Sequence, residues 1–227
     1  MRLLHKDFKF VFEFRENERN LLIVENPKIF SNFIKELYQK DAEDASGFVL
    51  SEAETPISIR DNLCCIVNPL AVSLNERRLL GRLYDKLKKE IMSSELLLEN
   101  NKVLASLEKY AVLILQNSDF ELTYSNIIDV SSILKLLDIR FEDRQETLLD
   151  KLVGYIEVMH NLMGVRLFVF VHLLSYLSAY EMEKLYEYLQ YQKIYSLLVE
   201  SCQPENIDWY SRVVIIDKDI CEISLNM

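Results

Sequence analysis

Glycine and proline are scarce in this 227-residue chain, four of each, and that scarcity excludes an all-β protein built on many tight turns. Long helices and plain strands suit such a composition, which points toward mixed α/β. Cysteine is equally sparse: Cys64, Cys65, Cys202 and Cys221 include one adjacent pair and no C-x-x-C. Neither a disulfide framework nor a zinc site follows from that spacing, and reduced thiols in the cytosol are the expectation. No apolar run is long enough to span a bilayer; the most apolar stretch, Val165 to Leu177, is short and carries His172. The opening MRLLHKDFKF puts charges where a signal peptide needs its apolar core. A cytoplasmic protein with no membrane partner is expected.

Positive charge is also lacking. Lysine and arginine number 26 against 36 aspartates and glutamates, a formal charge of minus 10, which argues against a general polyanion binder. Any nucleic-acid surface must therefore be local. What the chain does have is apolar material: half its residues are hydrophobic and 11% aromatic, ample for a packed core. Its length suits one large domain or one domain carrying a sizeable insertion.

The pattern opens with Phe8, Phe10, Phe12 and Phe14 at period two, four rings on one face of a strand. Leu21 to Val24 follows as a strand, and Asn26 and Pro27 then open a helix running to about Lys40. Strands are expected at Phe48 to Ser51 and Leu63 to Val67. Ser73 and Glu76 read as a capping box for a helix from Asn75 to Met92, with a second helix over Ser94 to Leu115 and a short one near Asp129 to Leu137. The last third alternates: helix Gln145 to Met163, strand Val165 to Val171, helix Ser178 to Gln190, strand Ile194 to Glu200, then strands Val213 to Asp217 and Ile220 to Leu225. Apolar runs such as RLFVFV between helices indicate a mostly parallel sheet covered on both faces. The helical pair reads as an antiparallel hairpin inserted between strand-rich regions.

A strand-helix alternation invites a nucleotide site, but the glycines at 47, 81, 154 and 164 fit neither G-x-x-x-x-G-K-[ST] nor G-x-G-x-x-G. RLFVFV is followed by His172 where an ATPase places a metal-holding acid. Nucleotide hydrolysis is not expected. His5, His160 and His172 lie far apart, and no G-x-S-x-G or Cys-His signature occurs.

On the helix from Asn75, steps of 100° gather Leu79, Leu80, Leu83 and Leu87 on one side. Arg78, Arg82, Lys86 and Lys89 fall opposite within an arc of roughly 80° that runs about 16 Å along the axis. That length meets a few backbone phosphates. The plainer reading is an ordinary solvated face, and Asp85 at the stripe's edge weakens it. Asp119 and Glu121 alternate in an expected strand and Asp129 follows, hard oxygen ligands of the kind calcium takes, although the spacing is not that of an EF-hand and solvated acidic loops account for it as well. Tyr186, Tyr188, Tyr191 and Tyr195 suggest a stacking platform or, more simply, core packing. Trp209 either anchors a partner or pins its loop.

Four strings, LLIVENPKIFSNFIKELYQ, FVFVHLLSYLSAYEMEKLYEYLQY, IYSLLVE and IIDKDICEI, together resemble the Csn2 family of type II-A CRISPR systems, the small accessory subunit of spacer acquisition. The resemblance implies a degenerate P-loop-ATPase-like α/β head over residues 1–70 and 139–227, with an α-helical leg domain inserted at 71–138. It implies a homotetrameric ring that holds double-stranded DNA, by its ends, in a basic channel, with Arg78, Arg82, Lys86 and Lys89 as the DNA-facing candidates. Calcium ions fixing leg against head are implied as well, with Asp119, Glu121 and Asp129 as candidate ligands. Partners would be the adaptation integrase and the effector nuclease, and no reaction would be catalysed. The competing expectation is a dead ATPase-like scaffold that binds other adaptation proteins without touching DNA.

Overall fold

The computed structural model describes residues 1–38, 47–125, 129–142 and 147–226. In chain order the elements begin with β1 (Arg2–His5), β2 (Val11–Glu13), β3 (Asn20–Val24), α1 (Pro27–Tyr38), β4 (Phe48–Glu52), β5 (Thr55–Pro56), α2 (Ile59–Asn62) and β6 (Leu63–Ile66). Three helices follow, α3 (Arg77–Met92), α4 (Leu96–Gln116) and α5 (Val130–Leu136). The chain closes with α6 (Leu148–Met163), β7 (Leu167–Val171), α7 (Ala179–Tyr191), β8 (Tyr195–Glu200), β9 (Arg212–Ile216) and β10 (Glu222–Asn226). They form two compact units: Met1–Ser73 with Arg144–Met227, and Leu74–Asp143.

The first unit holds a six-stranded sheet in the order β10-β9-β3-β8-β7-β6. Every pairing in it is parallel except that of β10 with β9, so the fold is mixed α/β with a mostly parallel sheet. Its inner strands are buried on both faces; β3 (NLLIV) and β7 (LFVFV) have no accessible position. That burial is why they read as continuous apolar runs. A four-stranded antiparallel sheet, β2-β1-β4-β5, lies in the same unit, with Leu3 facing both Phe12 and Leu50.

One core joins the two sheets. Leu3, Phe10, Phe12, Phe14 and Leu50 pack with Leu22, Val169, Val199 and Val214, and with Phe33 and Leu37 of α1. Each fully buried Phe or Leu contributes about 1.5–3 kcal/mol of transfer free energy. The expected Phe8 to Phe14 strand is cut to Val11–Glu13, yet the four rings share this core, Phe12 and Phe14 stacking at 6.2 Å. Burial, not ladder length, holds them to one side. On the sheet's other face α6 and α7 bury Leu152, Ile156, Met159, Met182, Leu185 and Leu189.

Helix ends follow local chemistry in most places. Asn26 accepts from the Lys28 and Ile29 amides at the start of α1, Ser178 and Glu181 make a capping box at α7, and Thr147 with Asp150 makes a second at α6. Gly164, at φ 76°, ends α6 in the left-handed region. The expected ends of α1 near Lys40 and of α6 at Gln145 lie outside the described residues. The Ser73 to Glu76 box does not form: Glu76 is the N-cap of α3 and its side chain makes no capping bond. Asn75 instead exchanges two hydrogen bonds with the Phe141 backbone, at 3.1 and 3.0 Å, which ties the turn before α3 to the segment after α5.

The second unit, among its described residues, is helical. The expected strand through Asp119 and Glu121 is absent; residues 117–125 run irregularly, with Phe120 78% exposed. Alternation alone makes no strand where no neighbouring strand offers a ladder. No helix among the described residues is long and apolar enough to cross a membrane.

Candidate functional site

The basic stripe emerges as a consequence of how α3 packs. Leu79 is buried and Leu80, Leu83 and Leu87 are half-buried, in a unit where α3 packs on α4 and α5. A helix that turns this side inward must present the opposite side to solvent. Arg78, Arg82, Lys86 and Lys89 lie there and all four are exposed. None forms an ion pair with a described residue, whereas Arg2, Arg15, Arg19, Lys102, Arg166, Lys184 and Lys193 each hold a carboxylate within 4.0 Å. In an acidic chain, four uncompensated cations on one helix face form a local positive field able to meet phosphates.

The three candidate calcium ligands are placed differently from one another. Asp119 and Glu121 are exposed on the irregular segment after α4. Asp129 is the N-cap of α5: its Oδ1 accepts from the Ser132 amide and hydroxyl, each at 2.9 Å, and its Oδ2 accepts from the Lys88 ammonium at 3.0 Å. Those contacts, Lys88 first and then Ser132, hold its carboxyl well below the ordinary carboxylate range. No three His, Cys, Asp or Glu side chains come together in a metal-holding group among the described residues. Calcium takes six to eight oxygens, and this arrangement of the three acids does not fit it.

Ligands of open α/β sheets settle outside the C-terminal ends of the strands, and side chains of this protein already occupy that edge after β3 and β7. After β3 only Glu25 and Asn26 precede α1; Asn26 Oδ1 already takes the first free amides of the helix, and its Nδ2 donates to the Lys218 carbonyl at 3.0 Å. The place where a phosphate loop would cradle an anion is filled by a side chain. After β7 stands His172, left-handed at φ 53°, its ring stacked on Phe30 at 4.8 Å and its Nδ1 3.3 Å from Glu200. Glu200 is 4% exposed and also accepts from the Leu174 amide at 3.2 Å. Burial pushes its carboxyl up, with Leu174 and His172 opposing. Burial together with the nearby Glu200 pushes the Tyr210 phenol up to about 12.

The remaining candidates have structural partners. His5 is buried beside Glu36 at 3.2 Å, and His160 meets the Val165 carbonyl at 2.8 Å. The tyrosines form no platform, for Tyr186 is buried, Tyr188 and Tyr195 are half-buried and Tyr191 is exposed. Trp209 pins its loop: the Arg19 guanidinium lies 5.1 Å from its ring and 4.6 Å from that of Tyr186. Sequence reasoning missed Lys88 and the His172–Glu200 pair. A glutamate closing the apolar run YSLLVE was a readable sign of the second, since a strand end that apolar carries a charge only with a partner.

Comparison with known proteins places these observations. The family model described as CRISPR-associated protein (Cas_Csn2) matches residues 38–220. A protein of Streptococcus agalactiae named CRISPR-associated protein Csn2 is 24% identical over 213 residues, which cover 91% of either chain. Among solved structures, the ATP-binding cassette of an ABC transporter in its ADP conformation aligns with TM-score 0.45 and 11% identity, over 94% of this chain and 82% of that one.

Proposed function

Because the chain belongs to the Csn2 family of CRISPR-associated proteins, we propose that its CRISPR-associated role is to bind double-stranded DNA without sequence preference and without catalysis. It acts in the cytoplasm as a homotetrameric ring that receives DNA ends during spacer acquisition, beside the adaptation integrase and the effector nuclease. The first unit serves as a P-loop-ATPase-like head that has lost its nucleotide site, and the second as the helical leg. Support for the lost site comes from the short Glu25–Asn26 link and the self-capped start of α1.

The observation that carries the reading is the set of four exposed, uncompensated cations on α3. A single acidic chain repels DNA; several copies that turn these faces toward one opening attract it there and repel it elsewhere. Self-association is supported by α4, a 21-residue helix with no buried residue and with Leu96, Leu98, Val103, Tyr110, Leu113 and Ile114 exposed. Phosphate contacts dominate such binding, so affinity falls with salt and varies little with sequence. No step of this reading runs through calcium, because among the described residues Asp119, Glu121 and Asp129 do not gather into one metal-holding group.

The same exposed apolar helix favours a second reading, a scaffold that binds adaptation proteins and never touches DNA. A low-salt gel shift with linear and closed circular duplex separates the two. The ring retards linear duplex and leaves closed circles unshifted. Equal retardation of both forms rejects end-loading, and retardation of neither selects the scaffold.

A further inference from the structure

The family resemblance implies a doubly charged ion at Asp129, yet that carboxylate already has a cationic partner. It receives three donors, the Lys88 ammonium on Oδ2 and the Ser132 amide and hydroxyl on Oδ1, out of about four that its two oxygens accommodate. We propose that Lys88 is the resident cation of this junction: tethered to α3, its ammonium does at Asp129 what a divalent ion would otherwise do, and joins α3 to α5 without metal.

Three further features support this assignment. Counted from Arg78 in steps of 100°, Lys88 stands at about 280°, well outside the roughly 80° arc of the basic stripe. It is turned toward α5 and away from the solvent-facing cations. The bond spans 41 residues of sequence and links two helices that pack on each other, so it fixes tertiary position and is no incidental neighbour pair. Finally, among the described residues no third metal-ligating side chain joins Asp129 and any other acid in one group. A calcium ion arriving at this carboxylate would first have to expel an ammonium held at 3.0 Å.

The inference does not depend on DNA binding and is tested apart from it. Thermal unfolding of the full chain is followed in millimolar calcium and in excess EGTA for the wild type, Lys88→Met, Asp129→Asn and the double variant. Both side chains of the pair are 44% exposed, so each single change is expected to lower the midpoint by only about 1–3 °C. The double variant should fall little further than the lower of the two singles, and each midpoint should be the same in either buffer. A calcium-dependent rise in the wild type that Asp129→Asn abolishes overturns the proposal. So does Lys88→Met with an unchanged midpoint and an unmoved Ser132 amide resonance in a ¹⁵N–¹H spectrum. A calcium-dependent rise that survives Asp129→Asn places the ion elsewhere and upholds Lys88 at this carboxylate.

Discussion

Replacing Arg78, Arg82, Lys86 and Lys89 together by glutamine removes four positive charges from one exposed face and leaves the buried side of α3 intact. Each phosphate neutralised contributes about −0.9 to the slope of log affinity against log salt. Four contacts from one chain thus give a slope near −3.6, and raising salt from 50 to 200 mM weakens wild-type binding by about 150-fold. Every further copy that engages the same duplex adds a similar increment to the slope. The assay is fluorescence anisotropy of a labelled short duplex over a salt series, run on wild type and variant. The variant should lose at least 3 slope units, roughly the sum of the removed contacts. Since none of the four side chains is paired with a described residue, its thermal midpoint should move little, exposed positions of this kind changing stability by no more than about 0.5 kcal/mol each. A variant that folds normally and keeps its slope within one unit refutes the assignment of α3 as the DNA-facing surface.

Three other perturbations test the packing of the first unit. Glu200 has a carboxyl raised by burial, so the folded state holds that proton more tightly than the unfolded chain. Its favourable contribution is complete below the ordinary value of 4.5 and is lost as pH rises through the raised value. Glu200→Gln should therefore gain on the wild type as pH rises through that window in a pH series of thermal melts, and a steady or shrinking difference contradicts the assignment. Gly47 has no room for a side chain, because an added Cβ would overlap the His5 imidazole and come within 2.9 Å of Glu36 Oε2; Gly47→Ala should lose about 1–3 kcal/mol in urea unfolding. Thr147→Ala removes one half of the capping box at α6 and should lose about 0.5–2 kcal/mol, with an unchanged transition midpoint counting against the cap.

How much of this was legible in the sequence depended on where the determining contact lies. β7 and β8 were readable because strands buried on both faces need apolar residues at every position, and the stripe on α3 because a helix amplifies a local period into a face. Phe8 to Phe14 gave the right side of the chain and the wrong length of strand, since the rings are held by Phe33 and its neighbours and not by a partner strand along their whole run. β1 went unread: RLLH is too short to show a period. The cap misread at Ser73 and the ion pair missed at Lys88 have one cause. Asn75 is tied to Phe141 and Lys88 to Asp129 across 66 and 41 residues, and no local pattern registers partners that distant.

The order β9-β3-β8 puts an early strand between two late ones. While the polypeptide leaves the ribosome, Asn20–Val24 has both edges open until Tyr195–Glu200 and Arg212–Ile216 have been synthesised. The helices between Leu74 and Asp143 rely on nearer contacts and can settle well before that. Translation thus finishes the helices of the second unit first and leaves β3 a greasy, unzipped ribbon until β8 and β9 emerge. A chain cut short before Tyr195, lacking both strands that flank β3, should yield aggregate in place of a shortened but folded product.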